Sequence, residues 1–426
     1  MSSTPRATFC DDFFRFDYPD EEVSLLLERL AEKRGGGIQC ELTIETAAMP
    51  HPGVLYSGNF NLLTSNKALA NTLRERQNID WDGILVQVAA VSKKRYREGD
   101  PLIDLAEVEP SQRSRWLMRG FVEDTTRPTL IAAGGGTGKS TIGVAAAATV
   151  ATGIPFLGIE PQRQCSVLYM DWEADAEIHA ERLQALWRGI GRDGAFPPGL
   201  VYYQRQLASL HESVATIRRR IAEEAIGFAV LDSVGMARGD DPNSAEATIR
   251  MFAANRKLGI PVLAIDHMSK EVLSKKTRAT AIGSVYTENS VCRVWVMKGA
   301  EQPDGSIGLS LEDVKRNNTP RQRTLAYVMR YEDDGTEDQR PVVIRYDRTD
   351  FRDLPRETMP SGQSSQKWLM AKVIEENGGR PVPDGLIAEA MGISEKQVRA
   401  LLSRHDDMFI RVDGQGIARA DLERVE

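Results

Sequence analysis

The stretch Ala133 to Thr141, A-G-G-G-T-G-K-S-T, constrains this chain more than any other. It joins the apolar run Pro128-Thr129-Leu130-Ile131-Ala132 to the small-residue run Thr141-Ile142-Gly143-Val144-Ala145-Ala146-Ala147-Ala148. Strand, glycine-rich loop and helix in that order make a cradle for the phosphates of a nucleoside triphosphate. Successive glycines let backbone N–H groups turn inward around a β-phosphate, and the positive end of the following helix adds to that field. Gly134, Gly135, Gly136, Thr137, Gly138, Lys139, Ser140 and Thr141 are therefore the expected nucleotide-binding set. Lys139 neutralises β/γ-phosphate charge and Ser140 is placed to ligate Mg²⁺. The pattern G-x-x-x-x-G-K-[ST] asks for glycine where this chain has Ala133, the smallest substitute.

The rest of the chain gives this loop a large setting. With 426 residues there is room for two or three domains and a sizeable core. A net charge of -7 excludes a wholly basic, nucleic-acid-coating surface and leaves room for a local basic channel. Cys10, Cys40, Cys165 and Cys292 are scattered without C-x-x-C spacing, which fits neither a disulfide framework nor a zinc site and points to a reducing cytosol. No run reaches 18 apolar residues, and Asp11, Asp12 and Asp17 stand where a signal peptide would need basic and then apolar residues. The expectation is a soluble, unprocessed cytoplasmic protein with no membrane partner.

Four segments follow one another. Residues 1–110 read as a small α/β module: Trp81, Ile84, Leu85, Val88 and Val91 fall at helical spacing, while Gly37 to Glu45 and Val54 to Leu63 alternate as strands. His51, between two prolines, reads as a plain loop residue. Residues 115–350 alternate apolar β-runs with helices, which predicts an α/β fold with a mainly parallel sheet covered on both faces. Its clearest buried strands are Thr129 to Ala133, Ser166 to Met170, Phe228 to Leu231 and Pro261 to Ile265; Val291 to Met297, Ile307 to Val314 and Thr324 to Tyr331 extend the sheet as antiparallel strands. Residues 351–366, rich in Pro, Ser and Gly, read as a linker, and 367–426 as a last small domain.

Each buried strand ends in a polar residue suited to a nucleotide site, and open parallel sheets bind ligands at their carboxyl ends. Phe228-Ala229-Val230-Leu231-Asp232-Ser233 closes on a carboxylate that suits Mg²⁺, against the plainer reading of an aspartate capping the next turn. Val167-Leu168-Tyr169-Met170-Asp171-Trp172-Glu173 places Glu173 just beyond its strand, where it can take a proton from an attacking water; Asp171 is the alternative base, and both are otherwise solvated acids. Pro261-Val262-Leu263-Ala264-Ile265-Asp266-His267 ends in a histidine positioned to hydrogen-bond a γ-phosphate and report its loss, although a lone histidine is as readily structural.

This strand and loop order, A-G-G-G-T-G-K-S-T, V-L-Y-M-D-W-E, F-A-V-L-D-S and A-I-D-H-M-S-K, resembles the RecA-like P-loop NTPase core of RepA-type hexameric DNA helicases and related phage and plasmid ATPases. The resemblance covers about Trp116 to Tyr331. It implies ATP hydrolysis with Mg²⁺ at subunit interfaces and a self-associated ring, most simply a hexamer, around single-stranded DNA. It also implies a catalytic glutamate, a magnesium aspartate and a sensor histidine at Glu173, Asp232 and His267. The loop after His267 carries Lys270, Lys275, Lys276 and Arg278 against Glu271 alone, and in the family the equivalent loop faces the pore, where cations follow a phosphate backbone. A solvated basic loop is the plainer reading. Val314-Lys315-Arg316-Asn317-Asn318 resembles the K-x-R-N segment that reaches a neighbour's γ-phosphate as an arginine finger. Lys315 and Arg316 are adjacent here, so Arg316 is the favoured finger, Lys315 its helper and Arg293 the competitor.

The C-terminal segment has helix–turn–helix spacing across Leu386 to Leu402 and Asp-Gly hairpin chemistry across Phe409 to Arg419, which together predict a winged helix. Lys396, Gln397, Arg399 and Arg404 are its candidates for DNA. Residues 365–426 hold 9 Lys+Arg against 11 Asp+Glu, 9 − 11 = −2, so docking to a replication protein stands beside binding of duplex DNA. The functional expectation is an ATP-driven helicase on single-stranded DNA. A strand-pairing RecA-like recombinase or annealing ATPase, and an ATP-switched DNA-binding initiator or regulator, are the alternatives.

Overall fold

The computed structural model describes residues 4–10, 13–33, 37–48, 53–62, 66–98, 102–109, 114–239, 244–268, 285–359 and 366–420. They form two compact units, Met1–Gln112 and Arg113–Glu426. The first is an antiparallel meander of β1 (Arg6–Phe9), β2 (Phe13–Tyr18), β3 (Val23–Glu32), β4 (Ile38–Thr46) and β5 (Gly53–Asn61), followed by α1 (Lys67–Arg76) and α2 (Trp81–Glu98). Alternate residues of β2 and β4 are buried, so one sheet face, with Phe16, Tyr18, Leu25, Leu27, Leu42 and Ile44, packs on Trp81, Ile84, Leu85 and Val88. Helices follow strands here without alternating, because an antiparallel sheet with one apolar face needs cover on that face only. The expected α/β module is thus a sheet with two helices appended. Val91 departs from the expected core set and is 37% exposed. His51 lies outside the described residues.

The second unit is built on one nine-stranded sheet. Its strands are β8 (Thr129–Ala133), β9 (Ser166–Asp171), β10 (Val201–Arg205), β11 (Ile226–Asp232), β12 (Val262–His267), β13 (Arg293–Glu301), β14 (Ile307–Arg316), β15 (Leu325–Asp333) and β16 (Pro341–Arg348); the short pair β6 (Trp116–Met118) and β7 (Val122–Glu123) stands apart. The order is β10-β9-β11-β12-β8-β13-β14-β15-β16. From β10 to β13 every pairing is parallel, and from β13 onward every pairing is antiparallel. The sequence places β13 among the antiparallel strands; it is parallel to β8 on one side and antiparallel to β14 on the other.

Helices cover both faces: α3 (Lys139–Thr152), α4 (Ala176–Gly189), α5 (Leu210–Glu223), α6 (Val234–Arg238), α7 (Ala245–Lys257) and α8 (Val285–Ser290). Strand residues alternate between two cores with period two. Ile131, Val167, Tyr169, Phe228, Val230, Leu263 and Ile265 face one core with α3, while Leu130, Leu168, Met170, Ala229, Leu231, Val262 and Ala264 face the other with α5 and α7. Twelve of the fourteen residues of α3 are buried, which its alanine run permits by keeping the helix thin against the sheet. Gly143 makes the closest approach: a Cβ there would lie 2.9 Å from Ile265 Cδ1 and 3.2 Å from the Tyr169 hydroxyl.

The expected linker is in part packed structure. Short 3₁₀ turns at Phe351–Asp353 and Arg356–Thr358 bring Leu354, Thr358 and Met359 into the interior, with Lys298 donating to the Met359 carbonyl at 2.7 Å. The chain ends in α9 (Gln366–Glu376), α10 (Asp384–Met391), α11 (Glu395–Arg404) and the hairpin of β17 (Phe409–Val412) and β18 (Gly416–Arg419). Gly392, with φ of 59°, makes the left-handed turn between α10 and α11, and Ser394 and Gln397 cap α11 reciprocally.

Candidate nucleotide-binding site

The carboxyl ends of β8, β9, β11 and β12 share one edge of the sheet, since Asp232 lies level with Asp171 and Ile265, and His267 level with Ala133. The loop after β8 opens there onto a cleft of about 580 Å³, lined by Gly136 to Thr141, Glu173, His267 and an apolar wall that includes Met329 and Ile344. Gly136 and Gly138 have φ of 72° and 82°, a left-handed region that a side chain would strain. Ala133 is the last residue of β8 and sits in its ladder, so the glycine of the general pattern is not required for the turn.

Lys139 is buried, and its Nζ donates to the carbonyls of Ala133 at 3.3 Å and Gly134 at 2.6 Å. Burial lowers its pKa, against the pull of Asp232, Glu173 and Asp266. Asp232 is also buried; it accepts from the Tyr169 hydroxyl at 2.8 Å and is hydrogen-bonded to Ser140. Burial raises its pKa, the bonds from Ser140 and Tyr169 oppose that, and the charges of Asp171 and Glu173 add to the rise. Asp266, just before the expected sensor His267, is pushed up to about 6 by burial against the bond from the His267 backbone N–H at 2.9 Å. Three carboxylates thus surround one lysine. Ser140 and Asp232 fit a divalent cation on this count: an oxygen pair, one of them a buried carboxylate in local excess of negative charge.

Glu173 and His267 meet across the cleft, with His267 Nε2 3.3 Å from Glu173 Oε2. The other Glu173 oxygen accepts from the Ser233 hydroxyl. Asp171 has a different environment from its neighbour. It is fully buried and accepts from the backbone N–H groups of Glu173 at 2.9 Å and Ala174 at 3.2 Å, with His179 Nε2 2.7 Å away. Burial raises its pKa, but the His179 bond and the two amides outweigh it and hold the carboxyl below its usual range. Only Glu173 of the two reaches the cleft. The sequence did not single out His179, Tyr169 or Asp266; their spacing from Asp171, Asp232 and His267 carries no motif.

The expected trans-acting residues lie elsewhere. Arg316 is exposed at the end of β14, opposite Arg293, which in turn pairs with Thr129 at the start of β8. That is about 13 Å along the strand from the phosphate loop, at ~3.3 Å per residue, so Arg316 cannot serve the cleft of its own chain. Arg293, the competing finger, is fully buried and is a structural hub. It bonds Glu123 at 3.2 Å, Asp313, Thr319 and the Pro320 carbonyl, and its guanidinium sits 4.9 Å from the Trp116 ring centre. Lys315, the expected helper, donates to the carbonyls of Glu288 and Val291. Lys270, Lys275, Lys276 and Arg278 lie outside the described residues. Lys396 is exposed on α11, whereas Arg399 is engaged with Glu395 at 2.8 Å and Asp384 at 3.2 Å. Gln397 is held by its cap. Among the described residues, no helix is long and apolar enough to cross a membrane.

Comparison with known proteins agrees with the centre of this picture. Residues 93–272 match the AAA domain family AAA_25, a span that holds the phosphate loop, Glu173, Asp232 and His267. A comparison with curated protein sequences found no match. Among solved structures, a KaiC-like protein from the hyperthermophilic archaeon Pyrococcus horikoshii OT3 is similar at 14% identity and a TM-score of 0.37, over 54% of this chain and 93% of that one. The core is a P-loop ATPase domain.

Proposed function

We propose that this ATPase core drives a RepA-like helicase along single-stranded DNA in replication or repair, as a ring of self-associated subunits. The observation that carries the reading is the meeting of Lys139, Ser140, Asp232, Glu173 and His267 around one cleft at the carboxyl edge of the sheet. Lys139 moves from its own loop carbonyls to the β/γ-phosphates of ATP, and the surrounding carboxylates keep it charged. Ser140 and Asp232 would hold Mg²⁺, whose charge would polarise the phosphoryl group. Glu173 accepts the proton of the attacking water and His267, already within reach of Glu173, reads the terminal phosphate.

Arg316 completes the site of a neighbouring chain in this reading. Its exposure at the edge remote from its own phosphate loop supports action in trans, and the burial of Arg293 removes the competitor. The C-terminal helices and hairpin have the element order of a winged helix, and the pairing of Arg399 and Arg411 with Asp384 favours protein docking over duplex reading. The test is strand displacement together with ATP turnover and solution mass. Unwinding that stops in Lys139→Ala, with turnover stimulated by single-stranded DNA, supports the helicase. Turnover without displacement, on open filaments, points to the strand-pairing alternative.

A further inference from the structure

Asp171 is buried at the root of the turn that carries Glu173, yet it does not line the cleft. Its two oxygens are occupied from three directions: the N–H of Glu173, the N–H of Ala174 and Nε2 of His179. His179 stands in the first turns of α4 and reaches back to the end of β9, so the bond closes the turn like a clasp. A carboxylate acceptor fixes the proton on Nε2. The ring is held between Tyr169, with centres 4.4 Å apart, and Tyr203, 5.7 Å away, and its buried Nδ1 has no partner among the described residues. The Tyr203 hydroxyl also donates to the Ala174 carbonyl at 2.8 Å, and the Trp172 N–H donates to the Asp232 carbonyl at 2.8 Å.

We infer that the Asp171–His179 pair is a positioning device that fixes the backbone of residues 172–174 and so aims the Glu173 carboxylate at the reacting centre. The inference rests on the ATPase reading of Glu173, and its geometry stands on nucleotide-free contacts. Every polar backbone bond just named pins the turn and leaves the Glu173 side chain as the part that faces the cleft. A buried imidazole with one nitrogen unpaired costs stability, and the bond from its other nitrogen to Asp171 offsets part of that cost. Tyr169 ties the two halves together, since the same ring that packs on His179 donates to Asp232. His179 bonds neither a phosphate-binding nor a metal-binding residue itself, so its removal acts first on the turn that carries the base.

The experiment compares His179→Leu with His179→Gln, which keeps a donor in the same place, in the full-length protein. Amide hydrogen exchange is read without nucleotide over residues 172–174. His179→Leu should exchange about tenfold faster there or more, the loss expected of one charge-assisted hydrogen bond, and His179→Gln should stay close to the parent. Single-turnover cleavage of Mg²⁺-ATP should fall about tenfold to a hundredfold in His179→Leu while the affinity for ATP stays within about twofold. Unchanged exchange in His179→Leu, or equal losses of affinity and cleavage, overturns the proposal. Should His179→Leu fail to fold, Asp171→Asn is read in the same two ways. If the parent itself does not cleave ATP, the ATPase reading fails while the exchange measurement still decides the clasp.

Discussion

The two edges of the nine-stranded sheet both bury charge, and they do it in opposite ways. At the amino edge of β8 and β13, Arg293 is enclosed with Glu123 and Asp313, bonded further to Thr319 and Pro320 and flanked by Trp116 and Trp295. There one guanidinium bonds both carboxylates directly. At the carboxyl edge, Asp232, Glu173 and Asp266 all act on Lys139, with Arg238 and His267 beside Asp266; burial raises Asp232 and Asp266 and lowers Lys139, while the carboxylates pull the lysine back up. Buried charge that is paired directly holds a fold together, whereas carboxylates gathered next to a cleft mark a place for a ligand.

Substitutions at the two edges should separate these roles. The largest effect is expected at the cleft: Glu173→Gln should cut ATP turnover by about a hundredfold to ten-thousandfold while ATP still binds, measured by steady-state turnover beside equilibrium titration. At the other edge, Arg293→Met strands Glu123 and Asp313 and should cost about 3–5 kcal/mol in denaturant unfolding of the core. A loss below about 1 kcal/mol there would mean that Arg293 does not hold the two carboxylates as described. Asp266→Asn should act in the reverse sense. Because the folded-state pKa of Asp266 is raised to about 6, the ionised form burdens the fold as pH rises from about 4 through 6. The variant should therefore gain about 1–3 kcal/mol at pH 8 and almost nothing at pH 4, read as unfolding midpoints at the two pH values. The smallest effect belongs to Arg399→Ala on α11, about 0.5 kcal/mol or less, with no change in affinity for single-stranded DNA, since Glu395 and Asp384 already engage its charge.

The sequence made the same distinction only in part. The four buried strands and the loop were legible because apolar runs ending in Asp, Glu or His have few other uses, and β8, β9, β11 and β12 lie where those runs stand. Edge strands were not: β10, V-Y-Y-Q-R, is only half-buried, and in β16 Arg345, Asp347 and Arg348 cut the V-V-I run short. The sequence favours Glu173 over Asp171, two residues before it, only because Glu173 stands beyond the end of the strand. The strand's alternation turns one into the interior and the turn carries the other to the cleft, and nothing in V-L-Y-M-D-W-E announces His179 as the partner that decides it. Arg316 is favoured over Arg293 in the sequence by its K-R-N segment alone, and pairing to Thr129 with burial under Trp116 then separates the structural arginine from the exposed one.

The account rests on Lys139 meeting a nucleoside triphosphate in the cleft. Titration of Mg²⁺-ATP into the parent and into Lys139→Ala, followed by calorimetry, tests this most directly. Saturable binding to the parent, weakened about a hundredfold or more in Lys139→Ala with the fold intact, is the expected result. Equal affinity in the two proteins, or no binding to either, would contradict it.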